Sequence, residues 1–264
     1  MHFSNFYQDS GGIGFEDTGG ELDLYDLNLT SPEGHSPQPK LLGSVKTQSR
    51  FASVSWTVAE SIADRFQMGL LAGGMTDGTV HLWNPAALMQ QRDPFVTSIS
   101  NGGLAGPVKA LQFSHLNPTQ LAAGGANGQV IIADVSNPEA SDVFAPSPDY
   151  KQNTEITAVA WNTQVAHIVA SAAGDGTVAV WDLNARKAWC ELRCETSGQA
   201  VADVMWNPTQ GLHLLTASSD DRNPVLKLWD LRASTSMPLA TMAGHTGGIL
   251  KTSWCPHDDS LLLS

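Results

Sequence analysis

The sequence predicts an all-β chain assembled from repeated four-stranded antiparallel units, and three observations predict it. Only 15% of the 264 residues are charged, while 24 Gly and 14 Pro punctuate the chain from end to end. An average soluble domain is about one quarter charged, and long surface helices need more Lys and Glu than this chain has. Short segments of alternating apolar character recur at a period of 45 to 50 residues, which marks a repeat architecture. Tight Asp-Gly turns separate neighbouring segments, where Gly supplies the positive φ that a hairpin demands.

Along the chain, one series of segments ends in an aromatic residue or alanine followed by a carboxylate or amide. It comprises ELDLYD (21 to 26), TVHLWN (79 to 84), QVIIAD (129 to 134), TVAVWD (177 to 182) and VLKLWD (225 to 230). The last four lie 50, 48 and 48 residues apart. A second series, out of phase with the first, ends at Trp56, Phe113, Trp161, Trp206 and Trp254, with spacings of 57, 48, 45 and 48. Between the two lies a third apolar strand in each unit: GLLAGG, QLAAGG, HIVASAA and HLLTASS. The turns Thr76-Asp77-Gly78 and Gly174-Asp175-Gly176 each follow such a strand. A fourth, less regular strand follows the first series, as in AWCELRC at 188 to 194. Segment 31 to 40, SPEGHSPQPK, reads as a solvated loop between strands.

Composition excludes several function classes. The formal net charge is -12, and the Lys and Arg are scattered singly apart from Arg186-Lys187, so binding to nucleic acid or an anionic membrane through a basic patch is not expected. Three cysteines, Cys190, Cys194 and Cys255, fit a reducing compartment better than a disulfide scaffold. The N-terminus lacks a signal-peptide pattern, and no apolar run reaches the length of a membrane helix, so a cytoplasmic location is expected. The sequon Asn28-Leu29-Thr30 reads as a loop triplet.

Four antiparallel strands per unit, closed by a Trp-Asp pair, resemble the WD-repeat β-propeller family throughout the chain. A small sheet with two apolar faces is stable only when stacked between neighbours, so each unit is a blade. The resemblance implies a buried network in which Trp bonds Ser or Thr, then a His of a Gly-His step and an Asp of the turn. Candidates for it here are Asp77, Trp83, Ser171, Asp175, Trp181, Trp229, Asp230 and His245. Ser171, Asp175 and Trp181 stand in matching places without a Gly-His before Trp161, and only Gly244-His245 supplies that pair. No unit is therefore expected to hold the complete network. Apolar burial is expected to carry most of the packing, with the N-H of Trp161 and Trp206 able to reach partners.

The expected organisation is a single incomplete propeller over 1 to 264, about five to six of an expected seven blades. It has a partial first blade at 1 to 46, blades at about 51 to 100, 108 to 147, 156 to 194 and 201 to 244, and the start of another at 249 to 264. Such a chain reads as cut at both ends, or as a ring completed by another polypeptide.

More specific are AVAWNTQVAHIVASAAGDGTVAVWDLNARK (158 to 187) and VMWNPTQGLHLLTASSDDRNPVLKLWDLR (204 to 232), the latter with a lengthened turn at 220 to 224. With GHTGGILKTSW and CPHDDSLLLS, they resemble in order the N-terminal propeller of the larger COPII outer-coat subunit, the Sec thirty-one family. That likeness implies a non-enzymatic structural role, without cofactor, in coating vesicles that leave the endoplasmic reticulum for the Golgi. It implies peripheral residence at exit sites and on coated vesicles. Implied partners are a smaller WD-repeat coat subunit and other copies of the propeller, while the inner coat and its small GTPase are engaged through other regions of such proteins. A generic WD-repeat scaffold of another pathway is the alternative.

Catalytic and metal readings fare worse. Cys190 and Cys194 share a strand face, and with Cys255 and His257 they make a weak zinc candidate, since a structural site groups four ligands closely. Asp220-Asp221 lacks the alternating ligands and closing Glu of a calcium loop. There is no Gly-x-Ser-x-Gly elbow, and the run at 11 to 14 is not a phosphate loop. His81 reads as a packing or edge residue beside Trp83, and His167 and His213 as repeat-related strand starts.

Overall fold

The structure is a computed structural model that describes residues 19–28, 39–194 and 199–264. The run at 11 to 14, most of the 31 to 40 loop, Leu29 and Thr30 of the sequon and the start of the expected first blade lie outside these residues.

Strands β1 (Gly20–Asp26) and β2 (Lys40–Thr47) form a two-stranded antiparallel sheet. Four sheets of four strands follow, each in sequence order and antiparallel throughout. The first holds β3 (Phe51–Thr57), β4 (Leu70–Met75), β5 (Val80–Trp83) and β6 (Phe95–Ile99). The second holds β7 (Ala110–Phe113), β8 (Gln120–Gly124), β9 (Val130–Asp134) and β10 (Asp142–Phe144). The third holds β11 (Ile156–Trp161), β12 (Ile168–Ala173), β13 (Thr177–Asp182) and β14 (Lys187–Arg193). The fourth holds β15 (Val201–Trp206), β16 (His213–Ser218), β17 (Val225–Asp230) and β18 (Ala240–Ala243). A final pair, β19 (Ser253–Trp254) and β20 (Leu262–Leu263), closes the described chain. The order of strands is that of a stacked-blade, propeller-type domain, as the sequence predicts.

One short helix, α1 (Pro85–Met89), interrupts the β-pattern between β5 and β6. Its start is encoded locally. Asn84 accepts the Ala86 N-H at 3.0 Å, and Pro85 occupies the first turn, where its missing N-H costs nothing.

The turns are sequence-determined. Gly78 and Gly176 adopt φ of 91° and 85°, which an L side chain rarely tolerates, and each follows an Asp. Asp77 Oδ1 accepts both N-H and hydroxyl of Thr79, and Asp175 Oδ1 does the same for Thr177. The aspartates that end β9, β13 and β17 cap the next turn: Asp134, Asp182 and Asp230 accept the backbone N-H of Ser136, Asn184 and Arg232 at 2.8, 2.9 and 3.0 Å.

The core is a series of slabs between sheets. Leu82, Val80, Phe113 and Ile131 fill the slab between the first and second four-stranded sheets. Ile132, Trp161, Val169 and Trp181 fill the next, and Val180, Leu192, Trp206 and Trp229 the one after. Smaller clusters seat β1 and β2 on Trp83 and Met75, and β19 and β20 on Leu215 and Ile249. Each fully buried Val, Leu or Ile contributes about 1.5 to 3 kcal/mol, so these slabs hold the stack together. The first strands of successive sheets, β3, β7, β11 and β15, lie beside one another. Leu250, which precedes β19, remains 87% exposed, and Leu263 in β20 73%.

Candidate functional site

The register equates positions between sheets. Trp181 faces Val169, with Ser171 two residues along β12; Trp229 faces Leu214, with Thr216 two along β16. Trp83 faces Leu71, with Gly73 in the hydroxyl position, and in the second sheet both places hold alanine, Ala133 and Ala123.

In the third sheet the side chains form one continuous relay. Trp181 Nε1 donates to Ser171 Oγ at 2.8 Å, and Ser171 Oγ donates to Gln152 Oε1. Gln152 Nε2 donates to Thr177 Oγ1 at 3.2 Å, and Thr177 Oγ1 donates to Asp175 Oδ1 at 2.7 Å. Each hydroxyl both accepts and donates, and such chains polarise in a low-dielectric interior. Gln152 is 1% exposed and Ser171 0%, so the relay is dry from Trp181 to Thr177, and its Asp175 end is half-buried. Sequence reasoning expected no complete network because it sought a histidine. The amide of Gln152 closes it, offering an acceptor to Ser171 and a donor to Thr177. A signal for it existed: Gln152 precedes Trp161 by nine residues, as His245 precedes Trp254.

His245 obeys the same rule. Trp254 faces Leu262 as Trp161 faces Val169, so Ser264 occupies the place of Ser171, and His245 Nε2 lies 2.8 Å from Ser264 Oγ. Trp229 Nε1 donates to Thr216 Oγ1 at 3.1 Å, but the position nine residues before Trp206 lies outside the described residues.

The other candidates do not join a network. A Cβ on Gly73 would stand 2.7 Å from the Trp83 ring, so no hydroxyl can occupy this place without movement. Trp83 is held instead by the Phe51 and His81 rings, at 5.4 and 5.5 Å between centroids. Asp77 bonds Ser49 and Thr79. Burial raises its carboxyl pKa, but these hydrogen bonds outweigh that and hold it below its ordinary value. Asp230 caps its turn, and the Arg232 backbone N-H leads the causes that lower its pKa.

His81 also stacks edge-on against Phe95, and burial depresses its pKa against the opposing pull of Asp77. The folded chain therefore binds this proton less readily than the unfolded chain, and stability present above the unfolded value of about 6.5 falls as pH drops through it. His81→Gln is expected to flatten the decline in melting temperature between pH 7.5 and about 5.5, followed by scanning calorimetry; an unchanged slope would refute this.

Hydrogen bonds also tie sheet to sheet. Trp161 Nε1 donates to Gln112 O and Trp206 Nε1 to Ala160 O, each at 3.0 Å. The buried Asp203 carboxylate accepts Lys251 Nζ at 2.6 Å and the N-H and hydroxyl of Thr252 at 2.8 and 2.9 Å. In the lengthened turn, Asp220 accepts the Arg222 N-H at 3.0 Å, while Asp221 reaches forward to the Gly248 N-H at 2.7 Å. That turn is a clasp to the next unit.

Cys190 and Cys194 both face the slab between the third and fourth sheets, and burial pushes the Cys190 thiol up to about 11. A thiol so raised is a poor nucleophile at neutral pH. Among the described residues, no group of three or more His, Cys, Asp or Glu is placed to hold a metal ion. Among those same residues, no helix is long and apolar enough to cross a membrane.

Comparison with known proteins places this geometry. Residues 19–226 match the family model "Nucleolar protein 10-like, N-terminal domain", a β-propeller domain. "Protein transport protein SEC31" of Dictyostelium discoideum is 36% identical over 264 residues, covering 97% of this chain and 19% of the relative. The protein of the same name from Chaetomium globosum is 36% identical over 245 residues, covering 92% and 18%. The chain thus spans about a fifth of the length of these relatives. Among solved structures, "COPII on membranes, outer coat vertex" superposes with a TM-score of 0.75 at 27% identity, over 96% of this chain and 64% of the other. "The structure of the COPII coat assembled on membranes" gives 0.75 and 27%, over 96% and 36%. Repeated sheets, shared register and these matches together show that the chain belongs to the WD-repeat β-propeller domain family of the nucleolar protein 10-like type, and that it resembles the Sec thirty-one propeller of the COPII outer coat.

Proposed function

We propose that this chain is a structural, non-enzymatic propeller of the COPII outer coat, acting through protein-protein contacts in transport from the endoplasmic reticulum to the Golgi. The observation that carries the reading is the 36% identity over 97% of the chain to a SEC31 protein, joined to a TM-score of 0.75 against an outer-coat vertex. The side-chain chemistry supports it, since the polar groups described above are spent on turns, relays and clasps between sheets. On this reading the chain is one incomplete propeller, with Ser171, Asp175, Trp181 and Gln152 maintaining its third sheet. Its partners are other coat subunits, including a smaller WD-repeat subunit and other copies of the propeller, and it resides peripherally at exit sites on the endoplasmic reticulum.

The match to the nucleolar protein 10-like model favours a second reading, a WD-repeat scaffold of another pathway, because one fold hosts many functions. Fluorescently tagged protein in cells decides between them. Puncta coincident with a COPII marker, dispersing when coat assembly is blocked, are expected; diffuse nuclear or nucleolar signal would refute the coat reading.

A further inference from the structure

Between the third and fourth four-stranded sheets, an open groove of about 240 Å³ runs along the molecular surface. Its apolar lining is Val165, Ile168, Trp189, Trp206 and Leu212, and Asp182 stands among the lining residues. Two of these side chains are exposed beyond what packing explains: Trp189 at 47% and Leu212 at 40%.

Trp189 is aimed there by the backbone. The register of β13 and β14 passes from Val180 opposite Cys190 to Trp181 opposite Ala188, so Trp189 is the extra residue of a β-bulge. A bulge reverses the alternation of the strand and re-aims one side chain. Cys190 packs on the slab toward the fourth sheet and Ala188 on the slab toward the second, and Trp189 is turned to the Cys190 side, over the groove. The first four-stranded sheet has the same bulge, passing from Leu82 opposite Thr97 to Trp83 opposite Phe95. Its extra residue, Val96, packs against the neighbouring slab. The same backbone device thus packs a smaller, half-buried side chain against the slab in one sheet and presents a tryptophan in another.

The groove is also preformed. Three consecutive side chains after β11 bond the loop after β15: Asn162 Nδ2 donates to Gly211 O at 2.7 Å, Thr163 Oγ1 to Asn207 O at 2.6 Å, and Gln164 Nε2 to Pro208 O at 2.7 Å. Trp206, in the groove wall, is pinned by its bond to Ala160 O. A rigid, tryptophan-lined concavity costs little ordering on binding, and Trp is enriched where binding energy concentrates.

The geometry points to a docking site for an extended peptide segment of a partner protein, which seats one aliphatic side chain against Trp189 and Leu212 and places a Lys or Arg beside Asp182. The volume suits one or two side chains rather than a cofactor, which needs upward of about 300 Å³. Charge complementarity selects a basic segment, because Asp182, whose Oδ1 accepts the Asn184 and Ala185 N-H and whose second oxygen is left for a partner, is the carboxylate lining the groove beside His167, with no Lys or Arg among the lining residues, on a chain of net charge -12. This site stands apart from the coat reading, since it is tested on the purified chain without any coat component.

The probe is a fluorescein-labelled peptide with one central leucine flanked by lysines in a glycine-serine background, followed by fluorescence anisotropy. Relatives carry alanine for the leucine or glutamate for the lysines. The leucine-lysine peptide is expected to bind, and each relative to bind about tenfold or more weakly. Trp189→Ala and Leu212→Asp are each expected to weaken binding by a similar factor, with the β-sheet circular dichroism and a cooperative melt retained because neither side chain belongs to the fully buried slabs. Asp182→Asn is expected to weaken the lysine peptide selectively. Equal affinity for the leucine and alanine peptides, indifference to Trp189→Ala, or no binding of the leucine-lysine peptide at millimolar concentration would each overturn the proposal.

Discussion

Trp181→Ala is expected to lower the unfolding free energy of the chain by about 3 to 5 kcal/mol, read from urea denaturation followed by circular dichroism. Trp181 is 1% exposed and packs in the slab between the second and third four-stranded sheets. Its removal opens a cavity that two sheets with fixed registers cannot collapse around. It also deprives Ser171 Oγ of a donor in a site without solvent. Ser171→Ala separates the two effects, because the Trp181 indole stays and only the hydroxyl it bonds is lost; a cost of about 1 to 3 kcal/mol is expected for that part. If Trp181→Ala shifts the midpoint no further than a surface substitution does, the slab does not hold the sheets as described.

Gln152→Leu is the second large effect. Leucine is apolar, branched one atom earlier and of comparable volume, but it can neither accept from Ser171 nor donate to Thr177, so the relay is cut at its centre. Leaving those buried groups unpaired is expected to cost about 1 to 3 kcal/mol, measured in the same way. Gln152→His tests the geometry from the other side. A neutral imidazole presents one acceptor and one donor, as the amide does, while its protonated form has only donors. Stability close to that of the parent is therefore expected at pH 8, with a loss on acidification through about 6.5 that the parent relay lacks. Equal stability of the Leu and Gln forms would show that the relay is incidental to the packing. Gly128 sets the surroundings of Gln152: at φ +78° its Cβ would stand 1.9 Å from Gln152 O, so this loop is kept close by the absence of a side chain.

Strands and hairpins were legible in the amino-acid order because their causes are local. Alternation with period two placed TVAVWD on β13 and HIVASAA on β12, and Asp-Gly steps placed the turns between them. The positions of Trp161, Trp181, Trp206 and Trp229 followed from the same pattern, since a large apolar residue in a strand of a stacked sheet has a slab to fill. Gln152 was less legible. It lies in the connection between repeats, where no alternation operates, and only its spacing from Trp161 betrays it. The grouping of Asp77 with Trp83 and of Asp230 with Trp229 did not become a network, because in one sheet Gly73 replaces the hydroxyl residue and in the other Asp230 is consumed by its turn.

By itself the sequence determined the repeat, the strand order within each sheet, the turns and the acidic excess, because these depend on residues within a few positions of one another and on net composition. The tertiary structure decided what the long-range partners are. Asp203 meets Lys251 and Thr252 some 48 residues away, and Asp221 meets Gly248 across a repeat boundary. It also decided where Trp189 points. A β-bulge is a property of two paired strands, so the face on which that tryptophan emerges exists only once β13 and β14 have met.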